Sequence, residues 1–480
     1  MGLGQTWMIS KGLAKLTTLI SRSFGKQYLP NYFMRAQGSR IEPRRRSLTI
    51  LARRTTLGLN GLESQGSKGR HEATHMESTQ YDVAIIGGGI LGLSTAMQLL
   101  ERAPGWRVAV VEKEDGLANH QTGHNSGVMH SGIYYRPGSH KAQFCVAGLN
   151  NMVKFCEENE IEYQQCGKVI VALEESELGR LQDLYERGTA NGVPDLEIVG
   201  PERLKEIEPH TAGIRALWAP HTGIVDFTKV AAAFADKFQQ SGGDIFLGAE
   251  VKNIVSASNS VALETTKGTL QAKHLINCGG LYADKVASMA EEKVGVRIIP
   301  FRGEYYTLRP ESHYLVSGLI YPVPDPQFPF LGVHFTRNIK GHVEAGPNAV
   351  MALRREGYRK RDFNLAESLG NLGYPGFWKM AFKYWKIGMG EIYRSYSRRV
   401  FLRDLQRLIP EIKDTDLDSG GSGVRAQAVA RDGSLLDDFS IIQGQNAIHV
   451  LNAPSPGATS SLAIGDHIAG LALETFGPGT

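Results

Sequence analysis

The chain has 480 residues, 42% of them hydrophobic, which is enough to bury a core in two or three domains. Its formal net charge of +4 is uneven, because residues 1–70 hold 13 of the 53 Lys and Arg residues but only two of the 49 acids, Glu42 and Glu63. The rest is mildly acidic, so the charge balance carries no footprint of nucleic-acid binding and no nucleic-acid partner is expected. No run of 18 apolar residues occurs, which argues against a helix spanning a membrane. The four cysteines, Cys145, Cys156, Cys166 and Cys278, lack CxxC or other metal spacing and read as reduced, mostly buried thiols, with no metal site.

Residues 1–75 are rich in Arg, Ser, Thr, Leu and Gly and nearly free of acids. That is the composition of an organelle transit peptide drawn by a membrane potential negative inside, and mitochondrial import is expected. Residues 9–24 can form a weakly amphipathic helix with Lys11, Lys15 and Arg22 on it. A secretory signal is not expected, since no long apolar core precedes a small-residue cleavage site.

The folded body opens with residues 81–86, an apolar run suited to a buried parallel strand. Gly87, Gly89 and Gly92 follow as G-x-G-x-x-G, and helical periodicity continues over residues 91–100. The first glycine permits a tight turn, the second lets backbone approach a pyrophosphate, and the third allows close helix–strand packing. Phosphates would then meet the free N–H groups of the helix start. A second strand, 107–112, ends in Glu112, 20 residues after Gly92, where a carboxylate accepts hydrogen bonds from ribose hydroxyls and repels a 2′-phosphate.

Residues 120–132 form a loop with three histidines and three glycines, polar enough to wrap an extended dinucleotide. A second strand-to-Gly-Gly turn lies at residues 275–280, before a helical stretch at 282–291. A third turn, residues 452–459, leads into an apolar-faced helix over 460–474, whose first N–H groups suit a flavin pyrimidine edge. Three such turns imply a discontinuous α/β domain of Rossmann type clasping a long cofactor. The expected cofactor residues are Gly87, Gly89, Gly92, Glu112, Lys113, Thr122, Asn125, Ser126, Val251, Gly279, Gly280, Gly457, Ala458 and Thr459.

With these turns in hand, the chain resembles the D-amino-acid-oxidase/glycine-oxidase superfamily of FAD enzymes over about residues 80–475. Within it, residues 120–135, 301–306 (Phe-Arg-Gly-Glu-Tyr-Tyr) and 423–427 (Gly-Val-Arg-Ala-Gln) are similar to the L-2-hydroxyglutarate dehydrogenase branch. The resemblance implies oxidation of a small dicarboxylic hydroxy acid to its 2-oxo acid, under a mixed or antiparallel sheet contributed by an α+β second domain. It also implies that Arg425 grips a substrate carboxylate. Electrons would pass to an acceptor other than NAD, such as a membrane quinone or an electron-transfer flavoprotein.

Such an oxidation needs a proton acceptor and cations for the carboxylates. Arg suits a carboxylate through its planar fork, and a diacid calls for a second cation or hydroxyl; Arg302, Lys141 and Tyr305 are the candidates. A histidine is the natural base, either His130 in the polar loop or His334 in the apolar stretch 330–335. His120 and His124 are read as organising the cofactor loop.

The FAD-binding domain is expected over 78–166, 226–297 and 417–480, and the substrate domain over 167–225 and 298–416. In the latter, strands are expected at 167–173 and 213–226, a helix at 175–191 and an antiparallel set over 296–353. Residues 374–403 alternate aromatics with Lys and Arg, a pattern that suits either a helical flap or a face lying on the mitochondrial inner membrane. Two other readings remain, an amine or amino-acid oxidase of the same fold and a non-catalytic flavin-binding assembly factor.

Overall fold

The computed structural model describes residues 80–290, 293–326 and 331–477; the leader and its expected helix lie outside them. The strand Gln80–Ile86 runs parallel to both Val108–Val111 and Gly268–Asn277. Val108–Val111 pairs in parallel with Asp244–Phe246, and Gly268–Asn277 with Ala447–Asn452. This is the doubly covered parallel sheet that the continuous apolar run requires. Val83 and Ile85 pack with the helices Ile90–Arg102, Phe227–Gln240 and Ser461–Phe476. Tyr81, Ala84 and Ile86 face the other way, toward Ile254, Val261, Leu263 and Leu270. Those four belong to an antiparallel meander, Val251–Ala257, Ser260–Thr265 and the first half of Gly268–Asn277.

The helix Phe227–Gln240 starts where Asp226 accepts a hydrogen bond from the Thr228 backbone N–H at 3.0 Å, so the residue expected to close a strand instead caps a helix. The strand expected over 213–226 is two strands, Arg215–Ala219 and Gly223–Val225, separated by a turn. The expected 175–191 helix is a 3-10 turn, Glu175–Glu177, continued by the helix Leu178–Ala190.

A second, nine-stranded sheet is built around Val296–Leu308. All its pairings are antiparallel except Lys168–Ala172 with Leu319–Pro322, which is parallel, so the sheet is mixed. Leu417–Ala430 pairs with Val296–Leu308 from Val296↔Ala430 to Leu308↔Leu417. This corrects the placing of residues 417–430 in the first domain. A single strand's pattern does not name its partner, which tertiary pairing chooses. Among 330–335, only His334 and Phe335 are strand, within His334–Arg337; Leu331 to Val333 lead into it, and Phe330 is outside the described residues. The 374–403 segment is helical, as Pro375–Lys383, Trp385–Tyr396 and the start of Arg398–Leu408.

All four cysteines are free thiols, and no described helix is long and apolar enough to cross a membrane.

Candidate functional site

One cleft of about 920 Å³ runs from the carboxyl ends of the parallel strands to the face of the second sheet. Gly87 and Gly89 line it, and Gly87 holds φ +113°, a left-handed backbone that a side chain strains. A Cβ there would lie 2.5 Å from the Cys278 carbonyl oxygen. Gly92 does not line the cleft; a Cβ on it would lie 2.0 Å from the Gly87 oxygen, so its role is packing the helix onto the turn. The helix Ile90–Arg102 has no side-chain cap and no acid in its first turn, and its start faces the cleft. That donor set fits a pyrophosphate.

Glu112 lines the cleft and is oriented by two backbone donors, Gly88 N–H at 2.7 Å and Glu114 N–H at 2.9 Å. Its remaining lone pairs fit ribose hydroxyls. Thr122 accepts from the Ile90 N–H at 3.0 Å, and Asn125 ties the polar loop through the Thr122 carbonyl at 2.7 Å. Ser126, Val251, Gly279 and Gly280 line the same cleft. Lys113 lines it too, but its ammonium is held by Glu114 and Glu356 and lies 2.8 Å from His120 Nε2. The third turn contributes Gly457, Ala458 and Thr459. Thr459 Oγ1 accepts from the His130 N–H at 3.1 Å and donates to the Val128 carbonyl at 3.2 Å, joining turn and loop. A cleft with three glycine turns, a helix start bearing Thr122 on its Ile90 N–H, and an oriented carboxylate fits an adenine dinucleotide carrying a flavin.

At the other end, the second sheet supplies Arg302, Tyr305, Tyr321, His334 and Arg425 to the lining. Arg425 sits opposite Phe301 in the Val296–Leu308 pairing; burial lowers its pKa against the opposing pull of Asp437. It keeps its charge, since guanidinium does not titrate in proteins. Arg302 is buried, and four of its five N–H donors are taken: two go to Glu304 Oε1, at 3.1 and 2.9 Å, and two meet the Gly357 and Arg359 carbonyls. Lys141 is not in the lining; it pairs with Asp437 at 2.8 Å. These two cations were expected at the substrate from residue type alone, and neighbouring acids claim both. Burial raises the Tyr305 pKa, so its hydroxyl stays protonated.

Both candidate bases line the cleft. His334 Nδ1 lies 2.8 Å from the Gly332 carbonyl, which only accepts, so Nδ1 carries the proton and Nε2 of the neutral ring keeps a lone pair. The ring stacks on Tyr321, centroids 3.9 Å apart. Burial chiefly, with the Lys168 charge, brings its pKa down to about 4. Burial chiefly, then Lys168 and His334, brings His130 down to about 3, and its Nδ1 is buried with no hydrogen-bond partner among the described residues. His124 stacks on Tyr358 at 4.2 Å and His120 at 6.2 Å, closing the loop against residues 354–359. Sequence reasoning missed Tyr321 and Lys168, which sit in apolar strands with no local sign of their surroundings.

Comparison with known proteins agrees with this geometry. Residues 82–471 match the model of the FAD dependent oxidoreductase family. The chain is 53% identical over 397 residues to an L-2-hydroxyglutarate dehydrogenase of Indibacter alkaliphilus, covering 82% of this chain and 100% of that protein. It is 44% identical over 416 residues to the mitochondrial L-2-hydroxyglutarate dehydrogenase of Homo sapiens, covering 83% and 90%. Among solved structures, the L-alpha-glycerophosphate oxidase of Mycoplasma pneumoniae with FAD bound shares the fold at a TM-score of 0.67 and 22% identity, over 82% of this chain and 94% of that one. FAD is therefore the dinucleotide of the cleft, and the chain belongs to the L-2-hydroxyglutarate dehydrogenase family of FAD-dependent oxidoreductases.

Proposed function

We propose that the chain oxidises L-2-hydroxyglutarate to 2-oxoglutarate. The observation that carries this reading is the 53% identity to a dehydrogenase of that name along its whole length. FAD, when bound, supplies the acceptor for the hydride from C2. Arg425 pairs with one carboxylate through two charge-assisted hydrogen bonds and so sets the orientation of C2. His334 Nε2 takes the hydroxyl proton, a role supported by the fixed tautomer and by a pKa that keeps the ring neutral at physiological pH. The protonated Tyr305 hydroxyl donates toward the substrate oxygen. With L-2-hydroxyglutarate, purified protein should reduce an artificial dye under nitrogen and release little peroxide in air. Stoichiometric peroxide would instead make it an oxidase, and no turnover with either acceptor would remove the activity altogether.

The electron acceptor is read as a membrane quinone or an electron-transfer flavoprotein, and the face that favours a membrane is the helical segment 375–396. Trp378, Phe382, Trp385 and Tyr393 are exposed there, beside exposed Lys379, Lys383 and Lys386, which form no ion pair among the described residues. Apolar rings and unpaired ammonium groups together suit an anionic bilayer surface. The acid-poor leader, and relatives from Nematostella vectensis and Homo sapiens named as mitochondrial, support the inner mitochondrial membrane. In co-sedimentation with cardiolipin-containing vesicles, the pair Phe382→Ser and Trp385→Ser should weaken binding by at least about 10-fold, since each ring buries roughly 1.5–3 kcal/mol of apolar surface. Equal binding by the pair variant would remove this face from the account.

A further inference from the structure

A positive charge with no counter-ion among the described residues lies just behind the substrate end of the cleft, outside its lining but against the lining residues Tyr321, His130 and His334. Lys168 opens the strand Lys168–Ala172, between Leu319 of one neighbour and Ala219 of the other, and is 1% exposed. Its ammonium sits 4.6 Å from the Tyr134 ring centre and 5.2 Å from that of Tyr321. Among the described residues, no carboxylate pairs with it. The other titratable groups around it are His130, His334 and Cys145, with the two tyrosines. None of these is an anion at neutral pH. Burial pushes the Cys145 thiol and the Tyr321 hydroxyl each up to about 12 and raises Tyr134 well above its usual value.

Two polar atoms next to this ammonium are also unsatisfied. Tyr134 Oη and His130 Nδ1 are buried with no hydrogen-bond partner among the described residues. A buried cation without a counter-ion is costly, and an anion seated beside it removes that penalty. The substrate proposed above brings two carboxylates. Arg425 answers one, while the other cations considered, Arg302 and Lys141, are held by Glu304 and Asp437.

We propose that Lys168 is the second anion anchor of the substrate site, receiving the carboxylate that Arg425 does not hold and making the site select diacids over monoacids. This rests on the 2-hydroxy-acid reading of the cleft. It carries a further consequence for the bases. The Lys168 charge lowers the basicity of both His130 and His334. A carboxylate seated on Lys168 cancels that charge, so arrival of the correct substrate itself makes His334 a better proton acceptor.

The test uses the FAD-loaded protein as wild type, Lys168→Met and Lys168→Arg. Steady-state constants are measured with L-2-hydroxyglutarate and with the monoacid L-2-hydroxybutyrate. Binding of glutarate, a diacid with no hydroxyl to oxidise, is read from the flavin absorbance difference spectrum. Lys168→Met should lower kcat/KM for the diacid by about 100-fold, mostly through KM, and weaken glutarate binding similarly. The monoacid should lose no rate and gain some, since the charge that weakens His334 is gone, and Lys168→Arg should retain most of the diacid activity.

Burial brings Lys168 down to about 8, so wild-type kcat/KM for the diacid should fall as pH rises through about 8, where the free ammonium is lost. That limb should be absent in Lys168→Arg. Equal losses on diacid and monoacid, or unchanged glutarate binding, would overturn the proposal. If Lys168→Met fails to load FAD, an unshifted basic limb in Lys168→Arg overturns it instead. Failure of the activity reading looks different, since wild-type flavin would then be reduced by neither acid while glutarate binding still depended on Lys168.

Discussion

Arg425→Met is expected to lower kcat/KM for L-2-hydroxyglutarate by about 30- to 5,000-fold, with FAD content unchanged. The range follows from the roughly 2–5 kcal/mol lost when one partner of a buried, hydrogen-bonded charge pair is removed. Arg425 is held in a long antiparallel pairing opposite Phe301 and lines the cleft, so its guanidinium is presented with little freedom to lose. Arg425→Lys should fall between, because a point charge replaces the planar fork. Steady-state kinetics with the flavin absorbance as a loading control decide it. A change within about threefold in the Met variant would take the carboxylate away from Arg425.

The second large effect is expected at His334. Loss of a general base costs about 10²–10⁴ in kcat, so His334→Asn should show that fall with KM within a few-fold. His130→Asn should lose less than about tenfold, since no described residue fixes its tautomer as Gly332 fixes that of His334. The pH dependence has a definite sign. A base must be unprotonated, and burial depresses the pKa of His334 to about 4. Thus kcat/KM should stay level as pH falls through 6.5, the ordinary imidazole value, and decline only near pH 4. Equal kcat losses in the two variants would leave the base unassigned, and a larger loss in His130→Asn would transfer the role to His130.

Much of the cofactor half was legible in the chain because its signals are local. The run 81–86, the Gly87–Gly92 spacing and the terminal Glu112 specify strand, turn, helix and carboxylate within one stretch, and the structure puts Gly87, Gly89 and Glu112 in a single cleft. The substrate half was less legible, because its residues meet only through the second sheet. Arg302 and Lys141 are cations near informative motifs, and nothing beside them in sequence announces that Glu304 and Asp437 occupy them. Lys168 shows the converse. In an apolar strand next to a glycine it reads as a strand-end lysine, and its burial between Tyr134 and Tyr321 arises from residues 34 positions before and 153 after it. The strand Leu417–Ala430 was likewise misplaced, since its partner Val296–Leu308 lies more than 100 residues away.

The most direct measurement is an anaerobic titration of the purified, yellow protein with each enantiomer of 2-hydroxyglutarate, following the flavin absorbance. The L-enantiomer should bleach it with about one equivalent per FAD, and the D-enantiomer should leave it unchanged. A colourless protein that takes up no FAD, or a flavin untouched by the L-enantiomer, would contradict the assignment of this cleft.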